Sequence, residues 1–300
     1  MEKFVFYIFY AVVRALSLLP FRVLYVISDI IYFLSYHVVK YRRRVVEQNL
    51  RNSFPEMSVQ ARRRIEKEFF RHLADILLET IKLLHVEDEE IKKRMVFSNP
   101  EVLSRFTAGG QSVIVLLGHY GNWEWIPSIY MNYQDLVGGE LYRPMKNQYF
   151  DSFFKRLRSR FGTINMPKND AFREIVKLRQ EGKVFALGFI ADQTPSKNNL
   201  HYWTTFLNQE TPFLNGPERI ARKGDYAVVY FDVQKTSRGH YQCDLVTLTE
   251  HAKGTKENEI TDQYVELFER TILRNPAYWL WSHKRWKHQR EDGQELRARK

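Results

Sequence analysis

The chain has 300 residues, 44% of them hydrophobic, which suffices for one large domain or two small ones with an apolar core. Its single cysteine, Cys243, excludes an intrachain disulfide and a cysteine-rich zinc site, and it favours a cytoplasm-facing location. The formal net charge of +11 indicates an anionic partner, for which nucleic acid, anionic lipid and an acidic carrier protein all qualify.

The N-terminal 39 residues hold the longest apolar stretches of the chain. Apolar and aromatic residues fill 4–13 and 15–19, and a second stretch, 23–39, is interrupted by Ser28 and Asp29. Neither stretch reaches the roughly 18 to 20 clean residues of an unambiguous spanning helix. A helical membrane anchor, as one tilted span or an interfacial hairpin, is the favoured interpretation. A pair of core helices and a signal peptide are the alternatives.

A basic cluster follows these stretches directly and consists of Lys40, Arg42, Arg43 and Arg44. Beside an apolar segment, such a cluster holds that end on the cytoplasmic side and attracts anionic lipid, although a solvated helix start is the ordinary alternative. We therefore divide the chain into an anchoring segment with its basic flank at residues 1–44, a main domain at 45–288, and a polar, loosely ordered tail at 289–300.

The main domain alternates between helical and strand patterns. Apolar residues at helical spacing predict helices over 58–84, 147–161, 170–180 and 259–273. Apolar runs predict strands at 113–117, 184–190 and 226–231. Strands separated by helices predict an α/β fold with a mixed, largely parallel sheet flanked by helices.

The segment 118–124 reads GHYGNWE and directly follows the predicted strand at 113–117. It can bring an imidazole and a carboxylate together if His119 lies in the turn and Glu124 reaches back from the first turn of a following helix. The carboxylate would then orient the ring and stabilise its protonated form, so that His119 acts as a general base. No serine or cysteine stands at a nucleophile position here, so the base would activate a hydroxyl of the substrate. A surface histidine beside a helix-capping glutamate is the alternative.

Further candidate residues follow later in the chain. Arg143 precedes Pro144, which predicts extended backbone or a turn where a guanidinium can bind phosphate bidentately; an exposed arginine without a partner is the alternative. Asp192 and Gln193 follow a predicted strand, a typical place for site residues in α/β folds, and Asp192 equally suits a turn. The chain contains no HExxH, GxxxxGK[ST] or GxGxxG motif, so we expect neither a metal nor a nucleotide cofactor.

Five blocks in order resemble one known family. The segment GHYGNWE resembles the His-x4-Asp/Glu block of the late lipid A biosynthesis acyltransferases, the lauroyl and myristoyl transferases of the lysophospholipid acyltransferase superfamily. The other similar blocks are YRPMKN at 142–147, ADQ at 191–193, NGP at 215–217 and NPAYWLWSHKRW at 275–286. The resemblance extends from the N-terminal apolar segment to about residue 288. It departs at Phe206-Leu207-Asn208, where the family often has Phe-Phe-Gly.

The resemblance implies a glycerolipid acyltransferase-like fold and a membrane-bound O-acyltransferase. Such an enzyme would move a fatty acyl chain from acyl carrier protein to a hydroxyl of a phosphorylated lipid A precursor, with His119 as base and Glu124 as its partner. The substrate-binding candidates are Asn122, Arg143, Asp192 and Gln193.

The partners implied are acyl carrier protein, the phosphorylated glycolipid acceptor and the membrane, with no nucleic acid and no cofactor. The location implied is the bacterial inner membrane, with the catalytic domain facing the cytoplasm. Two alternatives remain: an acyltransferase acting on a lysophospholipid or another bacterial lipid, and a non-catalytic, membrane-tethered protein that binds anionic lipid.

Overall fold

A computed structural model describes residues 2–291 and 293–298. The helices are α1 Glu2–Leu18, α2 Phe21–Phe33, α3 Arg43–Ser53, α4 Val59–Lys82, α5 Asp88–Arg94, α6 Glu101–Thr107, α7 Gln148–Arg158, α8 Ala171–Gln180, α9 Gly216–Gly224 and α10 Glu259–Arg274. The strands are β1 Met95–Phe97, β2 Val113–Leu117, β3 Val137–Tyr142, β4 Ile164–Pro167, β5 Phe185–Ile190, β6 Tyr202–Phe206, β7 Gln209–Phe213, β8 Ala227–Ser237, β9 His240–Thr249 and β10 Leu296–Arg297. Residue 1 of the expected anchoring segment and residues 292, 299 and 300 of the expected tail lie outside the described residues.

The main sheet is mixed and largely parallel. Within the described residues it has seven strands in the order β1-β9-β8-β2-β5-β3-β4, and the pair β8–β9 alone is antiparallel. The central strand β2 is buried along its whole length, because helices cover both faces of a sheet of this kind. The predicted α/β class with a largely parallel sheet is confirmed.

The predicted helices at 58–84, 147–161, 170–180 and 259–273 correspond to α4, α7, α8 and α10. Local capping explains two of the boundaries. The Ser58 side chain accepts a hydrogen bond from the backbone N–H of Ala61 at 3.2 Å and begins α4. Gly162, with φ of +77°, closes the short 3₁₀ turn that follows α7.

A second sheet, in the order β10-β6-β7, was not predicted from the sequence. Strands β6 and β7 form a hairpin whose two turn residues, Leu207 and Asn208, have φ of +48° and +61°. Leu296 and Arg297 pair with β6, and Arg297 contacts Asp262 at 3.2 Å. Two residues of the expected tail thus form a short strand at the open edge of β6.

Helices α1 and α2 pack against α4 through buried polar contacts. Lys82 Nζ donates to the backbone oxygens of Ser17 at 2.9 Å and Leu19 at 2.8 Å, where the chain passes from α1 to α2. Ser28 Oγ donates to Asp75 Oδ1 at 2.7 Å. The first two helices are thus joined to the α/β domain by specific hydrogen bonds.

The opposite face of α2 is apolar and exposed. It forms a stripe of side chains at helical spacing, each between 43% and 61% exposed: Val23, Val26, Ile30 and Phe33. A π-helical turn, Leu34–Val38, continues α2. Of the described residues, one stretch, Phe21–Val38, is long and apolar enough to cross a membrane, and only 22% of it is buried.

Candidate active site

Three neighbouring parallel strands end at the same edge of the main sheet. Leu117 ends β2 opposite Ile190, the last residue of β5, and each strand is followed two residues later by a site candidate, His119 and Asp192. Arg143 follows β3 directly, on the other side of β5. Because the carboxyl ends of parallel strands meet at one edge, the fold brings together candidates that are distant in the sequence.

Asp192 holds both the ring and the backbone of His119. Nδ1 of His119 lies 2.7 Å from Oδ1 of Asp192, and the His119 backbone N–H donates to Oδ2 at 3.1 Å. Trp279 Nε1 donates to the same Oδ2 at 2.8 Å. Burial opposes ionisation of this carboxyl, but the charge of His119 and the three hydrogen bonds outweigh it and lower the pKa of Asp192.

The bond to Asp192 determines the tautomer of His119. A carboxylate accepts a hydrogen bond, so Nδ1 carries the proton and Nε2 presents its lone pair. The side-chain amide nitrogen of Gln193 lies 3.2 Å from Nε2 and donates to it. The ring is 17% exposed and meets Trp123 edge to face at 5.3 Å. His119 therefore has the orientation and the access of a general base.

Glu124 lies elsewhere than the sequence analysis expected. It is part of a turn before the 3₁₀ helix Ile126–Asn132, and its two oxygens accept hydrogen bonds from Arg158 at 3.2 and 3.4 Å. Arg158 is also 3.5 Å from Glu140 Oε1. The structure brings Asp192 rather than Glu124 to Nδ1 of His119, because the end of β5 lies beside the end of β2 while α7 places a guanidinium against Glu124.

The carboxylates of Glu124 and Glu140 share one guanidinium. Burial, together with the nearby charge of Glu124, raises the pKa of Glu140 to about 7, although Arg158 opposes the shift. Near neutral pH this cluster therefore changes its charge by gaining or losing a proton at Glu140.

Asn122 is fully buried within the loop that carries His119. Its Nδ2 donates to Glu79 Oε2 at 2.8 Å, and its Oδ1 accepts from the backbone N–H of Trp125 at 3.2 Å. Glu79 also accepts from the hydroxyls of Tyr25 at 3.0 Å and Tyr241 at 2.8 Å. Both polar ends of Asn122 thus bind protein, which places it as a support of the loop rather than at the substrate-binding position that the sequence analysis expected.

Gly121 is fixed from both sides. Its N–H donates to the Tyr278 backbone oxygen at 3.1 Å, and His72 Nε2 donates to its carbonyl at 3.2 Å. The residue has φ of +60°, and a Cβ added to it would lie 2.7 Å from Cγ1 of Val233. Only glycine fits this backbone and this space without strain.

Arg143 is exposed on the same edge of the sheet. In residues 2–291 and 293–298, no hydrogen bond or ion pair engages its guanidinium, so its donors face solvent. No group of three or more histidine, cysteine or acidic side chains in that part of the chain is arranged to hold a metal ion. The predicted phosphate-binding role of Arg143 stays a prediction.

The C-terminal tract, residues 275–286, contacts the site through hydrogen bonds that were not predicted from the sequence. Besides the bond from Trp279 to Asp192, the Leu280 N–H donates to the His119 carbonyl at 3.1 Å. His283 accepts a hydrogen bond from the Thr194 N–H at 3.2 Å, and burial lowers its pKa to about 4, so this ring is neutral. The block at 275–286 was the available signal for these contacts.

Known proteins of similar sequence belong to lipid A biosynthesis. The sequence pattern of the family described as bacterial lipid A biosynthesis acyltransferase matches residues 1–288. The chain is 25% identical over 271 residues to the lipid A biosynthesis palmitoleoyltransferase of Escherichia coli (strain K12), covering 90% of this chain and 86% of that protein. It is 22% identical over 272 residues to the lipid A biosynthesis lauroyltransferase of the same strain, covering 90% and 87%. A lipid A biosynthesis acyltransferase of Shigella flexneri is 25% identical over 271 residues, covering 90% and 86%.

Proposed function

This chain belongs to the bacterial lipid A biosynthesis acyltransferase family, and from that premise we propose that it moves a fatty acyl chain from acyl carrier protein to a hydroxyl of a phosphorylated lipid A precursor. The names of its relatives, a palmitoleoyltransferase and a lauroyltransferase of lipid A biosynthesis, support this reaction class. The observation that carries the proposal is the pair formed by His119 and Asp192 at the carboxyl edge of the sheet, with Nε2 of the histidine directed away from the carboxylate.

The proposed reaction needs one base and one acid, and His119 supplies both. Nε2 takes the proton of the acceptor hydroxyl while the hydroxyl oxygen attacks the thioester carbonyl of the donor. The tetrahedral intermediate then collapses, the carbon–sulfur bond breaks, and the imidazolium returns its proton to the leaving thiolate. Asp192 holds the ring and stabilises its positive charge between these two transfers.

Glu124 has a different part in this proposal from the one predicted by its spacing. Its oxygens engage Arg158, so we assign it to positioning that arginine beside the catalytic loop. Asp192 replaces it as the carboxylate partner of His119 because the distance of 2.7 Å to Nδ1 is that of a charge-assisted hydrogen bond.

The acceptor-binding part of the proposal rests on two side chains at the same edge. The unpaired, exposed guanidinium of Arg143 suits a phosphate of the acceptor, which it can bind through two parallel hydrogen bonds. The Gln193 amide lies 3.2 Å from Nε2 of His119, and the reacting hydroxyl takes its place at that lone pair when the acceptor binds.

The apolar stripe of α2 supports a position at the bacterial inner membrane, with the catalytic domain on the cytoplasmic side. Four outward-facing apolar side chains on one helix form a face that lipid can cover. Two members of the basic cluster bind the protein itself, Arg43 to Glu66 at 2.8 Å and Arg42 to the Ser282 carbonyl at 3.2 Å. Lys40 and Arg44 are exposed and suit anionic lipid.

The test is acyl transfer by the purified full-length protein, with acyl carrier protein as donor and either a lipid A precursor or a lysophospholipid as acceptor, followed by mass spectrometry. We expect acylation of the lipid A precursor and a loss of about 10²- to 10⁴-fold in the His119→Ala variant. In cells, deletion of the gene should remove one secondary acyl chain from lipid A. An accumulated lysolipid with unchanged lipid A would instead identify the alternative acceptor.

A further inference from the structure

A polar cleft of about 640 Å³ lies between α2, α4 and the turn that joins β8 to β9. His119, Asp192 and Arg143 are not among the residues that line it. Its buried side includes His72, Asp75 and Lys235. The cleft is thus a separate concavity on the side of the molecule that carries the N-terminal helices.

The positive and negative side chains that line the cleft are equal in number, and most of them form ion pairs with one another. Asp75 contacts Arg238 at 2.7 Å and Lys235 at 3.4 Å, and Arg238 also binds Asp29 at 2.7 Å. These contacts leave the buried side of the cleft without excess charge. A ligand with a net charge of its own would therefore meet no compensating charge there.

Two opposite charges at the cleft can bind a ligand, one without a hydrogen-bond partner in the described part of the chain and one held in a solvated ion pair. Arg71 makes no hydrogen bond or ion pair to any described residue, and its guanidinium lies over the ring of Tyr32 at 4.9 Å. Glu68, one helical turn before it, forms an ion pair with the exposed Arg64 at 3.2 Å, a solvated pair that contributes little and can give way to a ligand. The cleft therefore presents one cation and one anion side by side, which matches a zwitterion.

The aromatic rings of the cleft help to decide whether the cationic group of the ligand is a primary or a quaternary ammonium. A quaternary ammonium needs several free aromatic faces, but Arg71 covers Tyr32 and the Lys235 ammonium lies 5.1 Å from the Tyr278 ring. Of the phenylalanine and tyrosine rings lining the cleft, only that of Phe33 has no cation of the described residues over it. A primary ammonium instead donates hydrogen bonds, and the carboxylate of Glu68 accepts them. Ethanolamine fits this chemistry better than choline.

The cleft is continuous with an apolar surface. Phe33 lines it and is also the last member of the exposed stripe of α2 that begins at Val23. A polar cleft that opens onto an apolar stripe is suited to an amphiphile, whose headgroup and acyl chain need these two environments in sequence.

We propose that this cleft binds the headgroup of a phosphoethanolamine lipid. Arg71 donates to the phosphodiester oxygens, Glu68 accepts from the primary ammonium, and an acyl chain lies along the stripe of α2. The inference rests on the proposed membrane association and is independent of the acyl-transfer chemistry.

The experiment measures binding of the full-length protein to three vesicles: phosphatidylcholine alone, phosphatidylcholine with phosphatidylethanolamine, and phosphatidylcholine with phosphatidylglycerol. We expect the tightest binding to the vesicles that contain phosphatidylethanolamine. Arg71→Ala and Glu68→Gln should each weaken this preference by about tenfold, the effect of one charged hydrogen bond. Lys67→Ala, an exposed cation of α4 outside the cleft, is the matched control and should change nothing.

Soluble glycerophosphoethanolamine should compete with the vesicles, whereas inorganic phosphate should not. Equal binding to all three vesicles, or tighter binding to phosphatidylglycerol, overturns the proposal while membrane association stands. Equal competition by inorganic phosphate overturns it as well, because the ammonium then adds nothing. Acyl transfer by the same variants in detergent tests the proposed function separately, and an increased KM for the acceptor in Arg71→Ala would assign the cleft to the acceptor instead. Thermal melting of each variant verifies that it is folded.

Discussion

Nδ1 of His119 and Oδ1 of Asp192 are 2.7 Å apart although 73 positions separate the two residues in the chain. The contact exists because β2 and β5 are parallel neighbours and both residues lie two positions beyond the paired ends of these strands. Because of this contact, the carboxylate that orients the proposed base is that of Asp192 and not that of Glu124, which is nearer in the sequence.

The first prediction compares the two carboxylates. Asp192→Asn should lower acyl transfer by about 10²- to 10⁴-fold, because an amide cannot stabilise the imidazolium and can impose the wrong tautomer. Glu124→Gln should cost less, since it weakens only the contact with Arg158. The measurement is the rate of acyl transfer by the single variants and by the double variant His119→Ala/Asp192→Asn. The loss of rate in the double variant should be smaller than the product of the losses in the two single variants. A larger loss in Glu124→Gln would restore the pairing predicted from the sequence.

The second prediction concerns phosphate recognition by Arg143. Arg143→Ala should raise the KM for the phosphorylated acceptor by about tenfold or more, the effect of losing a charged hydrogen bond. Arg143→Lys should recover only part of it, because an ammonium lacks the planar fork of a guanidinium. The KM for the acyl donor should change little. Lys183→Ala is the matched control, since this exposed cation precedes β5 at the opposite edge of the sheet.

The third prediction concerns stability and pH. The pKa of Glu140 is raised from 4.5 to about 7 in the folded protein, so the folded state holds more protons than the unfolded chain between these values. The contribution of Glu140 to the free energy of unfolding should therefore fall as pH rises through this window and level off above it. Asp192, whose pKa is lowered, contributes its pH dependence below this window. His72 and His283, whose pKa values are lowered by burial, contribute the opposite slope over part of this window. The measurement is therefore urea unfolding of the wild type and of Glu140→Gln from pH 4.5 to 8, and the free energy of unfolding of the wild type relative to the variant should fall as pH rises.

The fourth prediction concerns the loop that carries His119. Gly121→Ala forces a side chain onto a backbone with φ of +60° and into Val233, so it should reduce stability by roughly 1 to 3 kcal/mol and lower the rate as the loop shifts. Gly110→Ala is the control, because Gly110 has φ of +77° and nothing within 4 Å of an added Cβ. Thermal melting separates the two, and an equal loss in both would attribute the effect to backbone strain alone.

The fifth prediction concerns the membrane. Replacing Val26 and Ile30 by aspartate should release the protein into the soluble fraction, because each side chain forfeits about 1.5 to 3 kcal/mol of apolar burial in lipid. Both positions are exposed, so the fold should be unchanged. Val59→Asp, at an exposed valine that begins α4, should leave membrane association intact. Retention of the double variant in the membrane fraction would contradict an anchoring role for the α2 stripe.

The sequence by itself determined the elements whose signals are local. The apolar run of β2 and the helical periodicity of α4 depend on residues within a few positions of one another, and each is found where it was predicted. The order of the motifs identified the family and directed attention to His119. The hairpin with Leu207 and Asn208 escaped prediction because neither residue at this turn is the glycine that usually marks it.

The tertiary structure alone decided which side chains meet. The order of strands in the sheet joins His119 to Asp192, and the end of α7 places Arg158 against Glu124. The C-terminal tract adds Trp279 to the site from 87 positions beyond Asp192. Such contacts depend on how whole helices and strands pack, and the spacing of residues along the chain does not determine this packing. For that reason the pairing of His119 with Glu124, inferred from their five-residue spacing, differs from the pairing with Asp192 in the folded protein.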